Sequence, residues 1–474
     1  MHGGRLGLGQ GTALYLGAVL GPGVLALPAL AAAAAGPASM ISWALLLLLG
    51  VPVALTFAAL GARYPDGGGV SSFVARAFGP RASACVGWLF YAAVPVGVLA
   101  GALAGGNYLV AVLGLPQGAE YGAAAVILTV AVAANHAGLQ VSGRLQLVLA
   151  GLLVLLLAGA TVFALPHVSA DRFTPFMPDG WLSVGSAALV LFYAFSGWEA
   201  ASHLSAEFAD PRRHLPRATA ITLSIVGALY LGLSFVTIGV LGDGARTSAV
   251  PLMDLLVTGL GDGARGLTAA AAVCLSLGAV NTFIAGAARL GAALGRDGAL
   301  PGRLAKGGSA GQVPRRSLTV QALLIGALAL VAWLLPLGID PLMRATSAFL
   351  AAVTAAGMAA SLRLLRRGTP MWWGALVATV FTVVVMAFSG WLLILPVLVG
   401  GAAMLYMRFR NRPRRPADGR HAGTGTDAEA GTEAGAAAGT GTGTGSGTGT
   451  GTATATATHA AVGESTGDAP SAAR

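Results

Sequence analysis

Two ionisable residues inside an otherwise apolar run are the part of this sequence best suited to chemistry. Glu199 and His203 lie in LFYAFSGWEAASHLSAE, residues 191–207. One helical turn apart on one face, they can share a hydrogen bond or pass a proton. A carboxylate at mid-bilayer is expensive, so it must face a bundle interior or a wet cavity. Two readings of Glu199 stay open: a proton-coupling group, or an acceptor for N–H groups freed by a broken helix. The second feature is GAVLGPGV, residues 17–24. Glycine costs roughly 1 kcal/mol and proline roughly 3 relative to alanine in a helix. Gly17, Gly21, Pro22 and Gly23 therefore predict a break. In hydrocarbon such a break leaves free N–H groups on one half-helix and free carbonyls on the other, which suits a ligand carrying both charges. An amino acid is such a ligand. The competing reading is a glycine-rich kink that serves only helix packing.

The rest of the chain must position these residues within a membrane. Of 474 residues, 55% are hydrophobic and only 10% charged, against about 25% charged in soluble domains. Apolar runs long enough to cross fall at about 9–35, 39–62, 83–113, 121–138, 143–165, 182–206, 218–241, 266–291, 317–337, 343–364, 371–389 and 391–407. Placing both termini in the cytoplasm puts 24 of the 28 Lys and Arg residues on the inside, leaving Arg172, Arg246, Arg265 and Arg344 outside. This obeys the positive-inside rule and supports twelve spans in a cell membrane. The net charge of +10 is spread over short loops rather than a stripe, so nucleic acid is not an expected partner. The first span is too long, and too closely followed by more membrane, for a cleavable signal peptide.

Other chemistries find little support. Cys85 and Cys274 both sit inside spans, and the seven histidines lack the H-E-x-x-H spacing of a metalloenzyme. No metal, cofactor or enzymatic activity is expected, and nothing resembles a channel filter. From about residue 408 a basic collar leads into a tail rich in Gly, Thr, Ala and Ser, through 474, which is expected to be disordered.

Spans 1 and 6 are five apart and run in opposite directions. Two interrupted helices at matching places in two halves are what an inverted-repeat transporter predicts. The repeats would cover about 9–165 and 182–364, with helices 11 and 12 (371–407) added.

At these residues the chain resembles the amino acid–polyamine–organocation superfamily. The span-1 stretch is similar to its G-x-x-[IL]-G-x-G-[IV] signature through Gly17, Leu20, Gly21, Gly23 and Val24. The loop from Arg63 to Phe73 resembles the family's Y-P-x-x-G-G turn, and residues 296–301 its R-D-G-x-L-P run. Phe195, Gly197, Glu199, Glu207, Asp210, Pro211, Arg213, Pro216 and Arg217 match the span-6 core and its exit. The branch of methionine and branched-chain amino-acid exporters is the nearest in look, through Pro28, residues 94–97, Glu199 with His203, and Asn281. The resemblance implies an all-α membrane fold with a five-plus-five inverted repeat, discontinuous helices 1 and 6, and alternating access. It also implies proton-driven efflux of small neutral amino acids.

It further implies a substrate site made of Gly17, Leu20, Gly21, Pro22 and Gly23 from span 1, Tyr193, Ala194, Phe195, Ser196, Gly197 and Trp198 from span 6, and Asn281 from span 8. Gly21 to Gly23 would meet the carboxylate; Tyr193, Ala194 and Ser196 would meet the ammonium; Trp198 would form an aromatic wall. Pro22 departs from the usual Ser or Thr and supplies neither hydroxyl nor N–H. Glu199 and His203 would carry protons. Sodium is disfavoured because span 8 offers only Ser276 near the expected site. An uncharged cavity favours Met, Leu, Ile or Val; pairing with Glu199 keeps cationic amino acids and polyamines as the alternative. A transporter-like nutrient sensor, with the tail docking a partner, is the alternative of another class. Deletion of residues 416–474 is expected to leave amino-acid flux in proteoliposomes unchanged; a large loss would make the tail part of the machinery.

Overall fold

The computed structural model describes residues 7–64, 69–116, 118–138, 143–195, 210–308 and 312–410, and within them all regular structure is helical. Residues Met1–Pro413 form one compact unit. In chain order the helices are α1 (Leu8–Val19), α2 (Leu27–Ala35), α3 (Ser39–Arg63), α4 (Gly69–Phe78), α5 (Pro80–Leu113), α6 (Ala119–His136), α7 (Gly143–Ala164) and α8 (Trp181–Leu191). They continue as α9 (Pro211–Val236), α10 (Pro251–Leu260), α11 (Ala264–Arg296), α12 (Arg315–Leu334), α13 (Ile339–Leu364), α14 (Pro370–Ala387) and α15 (Ile394–Arg410). The tail expected to be disordered lies outside the described residues from 411 onward.

Among the described residues nine stretches are long and apolar enough to cross a membrane, fewer than the twelve runs in the sequence. Part of the difference has a physical cause. The first run is split: its 12-residue first helix is short of the roughly 17 residues that a crossing needs, and its second helix is counted with α3 in one stretch, Leu27–Arg63. The sixth passes from α8 into a 3-10 turn at Phe192–Phe195, where the described residues pause.

The longest helix, α5, is the centre of the bundle and packs against α4, α6, α11, α12, α13 and α15. Its close neighbours depend on small residues, as expected where lipid removes any hydrophobic drive between helices. A Cβ on Gly105 would lie 2.6 Å from Cβ of Ser276 on α11, and one on Gly106 would lie 2.8 Å from the Glu120 carbonyl of α6. Pro95, inside α5, cannot donate to the Tyr91 carbonyl one turn back. The fully buried Gln321 of α12 does so instead, Nε2 to O at 3.1 Å. Large apolar side chains on α7, α12, α14 and α15, such as Leu155, Leu330, Val384 and Leu398, point outward, the arrangement that hydrocarbon surroundings favour.

Charged groups collect at the helix ends. Arg363 at the end of α13 donates to the Ala77 carbonyl and lies over the Phe78 ring at 4.4 Å, clamping the amphipathic α4. Arg246 and Arg344 pair with Asp179 and Asp340, each at 2.8 Å.

Gly105→Val is expected to cost about 1–3 kcal/mol by overpacking, because Ser276 is fully buried and its hydroxyl already donates to the Gly101 carbonyl. A lowered melting temperature in detergent checks this; an unchanged one would mean that α5 and α11 can separate freely.

Candidate functional site

The first broken helix builds one side of the site. Leu20, at the end of α1, leaves helical geometry (φ −76°, ψ 83°). Gly21 is extended (φ −85°, ψ 173°), and Pro22–Leu25 then form a single 3-10 turn before α2. Proline explains the sequence of events, because its ring disfavours helical backbone at the residue before it. Gly21 is that residue. None of this needs a positive φ, and Gly17 remains inside α1. The break is thus set by Pro22 and its neighbours rather than by every glycine in the cluster.

The second side comes from the 3-10 turn Phe192–Phe195 that follows α8, and the two turns pack against each other. The ring of Tyr193 lies against Gly23 so closely that any Cβ there would collide with its Cδ1 and Cε1. Its hydroxyl donates to the Gly97 carbonyl of α5 at 2.9 Å. A Cβ on Gly97 would in turn sit 3.1 Å from Cγ2 of Thr346 on α13. Four elements therefore converge on Gly23, Gly97, Tyr193 and Thr346. Phe195 points elsewhere, packing on Gly50 of α3 and edge-on to Tyr230 of α9 with ring centroids 6.3 Å apart.

The placement of α8 is fixed from α13. Arg344 donates through Nη1 to both the carbonyl and the hydroxyl of Ser186 at 3.0 Å, while its Nε bonds the Asp340 carboxylate. One guanidinium thus satisfies a carboxylate and a helix carbonyl together, and holds α8 beside the helix that carries Thr346.

The expected residues divide into three groups. Leu20, Gly21, Pro22 and Gly23 form the first break, and Tyr193, Ala194 and Phe195 the opposing turn; Gly23 and Tyr193 touch directly. Asn281 is directed to α6: its side-chain oxygen accepts from Nδ2 of Asn135 at 2.7 Å, and its carbonyl accepts from the same group at 3.1 Å. Ser196, Gly197, Trp198, Glu199 and His203 lie outside the described residues. Gly97 and Thr346 were not singled out as site residues; the Pro95-Val-Gly97 step was their nearest sequence signal. Among the described residues no three His, Cys, Asp or Glu side chains gather as metal ligands.

Gly23→Ala must displace the Tyr193 ring, whereas a methyl on Gly21 meets nothing within 4 Å. A shift costing about 1–3 kcal/mol should lower flux through the protein about five-fold or more for Gly23→Ala, with a smaller loss for Gly21→Ala. Flux measured on both variants after matching reconstitution checks this; equal losses would mean that the contact of Tyr193 with Gly23 is immaterial.

Comparison with known proteins completes the description. Residues 6–424 match the family described as amino acid permease. The chain is 33% identical over 409 residues to the uncharacterized amino acid permease YecA of Bacillus subtilis, covering 86% of this chain and 96% of that protein. It is 34% identical over 294 residues to the L-methionine/branched-chain amino acid exporter YjeH of Escherichia coli, covering 60% of this chain and 69% of that one. It is also 28% identical over 321 residues to the branched-chain amino acid permease BcaP of Bacillus subtilis, covering 64% and 69%. With its apolar helices and its broken first helix, the chain is a multi-pass membrane transporter rather than an enzyme, and it belongs to the amino acid permease family of the amino acid–polyamine–organocation superfamily.

Proposed function

We propose that this transporter exports small neutral amino acids, methionine, leucine, isoleucine and valine, from the cytoplasm by proton-driven alternating access. The observation that carries the reading is the meeting of two irregular turns, one from each half of the chain, at Gly23 and Tyr193. Irregular backbone at membrane depth is tolerated where it is packed in protein or lines a cavity, and opposed half-helices suit a zwitterion. The side chains gathered at this point are uncharged, which favours a ligand with an apolar side chain. The substrates for which YjeH and BcaP are named agree with that class.

In this reading the chain crosses the cell membrane twelve times, as two inverted repeats of five followed by a final pair, with both termini cytoplasmic. The distribution of arginines supports the orientation. Gly21 to Gly23 receive the substrate carboxylate and Tyr193, Ala194 and Ser196 its ammonium, with Gly17, Leu20, Phe195, Gly197 and Trp198 around them. Asn281 contributes through its place on α11. Glu199 and His203 carry the coupling protons.

Counterflow in proteoliposomes tests the proposal. Labelled methionine and leucine are expected to exchange and to respond to a pH gradient, while arginine is not carried. Glu199→Gln should retain exchange but lose its response to the gradient. Arginine flux would favour a cationic substrate; an unaltered pH response would remove Glu199 from the coupling role.

A further inference from the structure

Tyr108 lies on α5, away from the contact between Gly23 and Tyr193, and is completely buried. Its hydroxyl makes two bonds to backbone groups in separate parts of the chain. It donates to the Leu25 carbonyl at 2.8 Å and accepts from the Leu252 N–H at 3.2 Å. Both partners are groups that regular structure leaves over. Leu25 ends the 3-10 turn of the broken first helix. Leu252 is the second residue of α10, and the first N–H groups of a helix have no acceptor within it. A phenol offers one donor and two acceptor lone pairs, so a single hydroxyl serves a carbonyl released by the break and an N–H released by a helix start.

The mounting of that hydroxyl is rigid. Two and three residues earlier on α5, Gly106 and Gly105 bring α6 and α11 into near-backbone contact. The helix it reaches is a separate piece: α10 has only 10 residues, about 15 Å of helix, and cannot cross a bilayer. It buries Leu252, Met253, Leu255 and Leu256 and packs on α7 and α11. Its start is fastened locally as well. Ser248 donates to Oδ2 of Asp254 at 2.5 Å and accepts from the Val250 N–H at 3.2 Å.

We infer that Tyr108 is a positioning residue that links the seating of α10 to the geometry of the first helix break, so that α10 and the Leu25 end of the break loosen together. Given the transport reading and orientation proposed above, on which the inference rests, α10 lies on the extracellular side and the link is a latch on that side of the site. A hydroxyl that donates while its oxygen accepts polarises both bonds, so loss of the bond to Leu25 weakens the bond from Leu252, and the reverse. Movement of the half-helix that pulls Leu25 away removes a reason for α10 to stay seated, and departure of α10 does the same for Leu25.

The test uses the full chain with Cys85 and Cys274 replaced by serine and a reporter cysteine at Thr346, which is buried beside Gly97. A charged, membrane-impermeant thiol reagent is applied to oriented vesicles on the α10 side. Tyr108→Phe keeps the ring and removes both bonds; the reporter is expected to label about ten-fold faster than in the parent, with the melting temperature followed in parallel. Ser248→Ala loosens the start of α10 without touching Tyr108 and is expected to change labelling in the same direction. A rate for Tyr108→Phe within two-fold of the parent overturns the link. Should Tyr108→Phe fail to fold, Ser248→Ala decides, and unchanged labelling in that variant overturns it. The labelling assay needs no substrate, so failure of the link shows in labelling and failure of the transport reading shows in counterflow, and the two are distinguishable.

Discussion

A backbone carbonyl or N–H freed inside an apolar medium must be met by another part of the protein, and this one constraint organises the bundle. Hydrocarbon supplies no substitute for water, and each unmet group costs several kcal/mol, in the order-of-magnitude sense. Pro95 leaves the Tyr91 carbonyl without its helical donor, and Gln321 reaches it from α12. The first helix break leaves the Leu25 carbonyl, and Tyr108 reaches it from α5. Both answers come from distant parts of the chain. The local break is therefore a property of the tertiary fold as much as of the glycines and proline that permit it.

Glycine plays a second part that is easily mistaken for the first. At Gly23 it makes room for an aromatic ring, at Gly105 and Gly106 for neighbouring helices, and at Gly259 for the Phe163 backbone. In each case the missing Cβ sets the distance between two elements rather than the conformation of one. Gly17 shows the distinction from the other side: it belongs to the signature of the broken helix, yet it lies within α1 and its backbone continues the helix. The proline at position 22, which restricts Gly21 before it, is the residue that stops the helix.

This difference explains what could be read in the sequence. The break of the first helix was legible because its cause is local, a proline between two glycines. The apolar runs were legible because bilayer thickness fixes their length. The stretch from Arg63 to Phe73 carried only a resemblance to the family's turn, and in the structure its described end opens α4. Gly97, Thr346, Gln321 and Tyr108 were not legible, because nothing in their immediate neighbours reveals a partner far along the chain; a buried tyrosine near the end of a span reads simply as core. Asn281 is a case where the family resemblance pointed to the substrate site and three-dimensional placement supplied a partner, Asn135. A long-range hydrogen bond leaves no periodicity to find.

The two kinds of contact are unevenly distributed, and the distribution separates a frame from the pieces mounted on it. Between α5, α6 and α11 the elements meet through small residues at near-backbone distance, where sliding would force atoms through one another. Between the first helix break and the turn after α8, the meeting is a tyrosine ring laid on a glycine. A ring on a flat glycine surface can move by rotation about side-chain bonds at modest cost, while the backbone behind it stays in place. The Tyr193 hydroxyl ties that ring to the frame at the Gly97 carbonyl, and the Tyr108 hydroxyl ties the other end of the same 3-10 turn to the frame at Leu25. The turn of the first break is thus held from α5 at its end and overlaid from the opposing turn at Gly23, by two phenols rather than by interlocked backbone. Where the two halves of the chain face each other, the meeting is thus of side chain on backbone rather than of backbone on backbone.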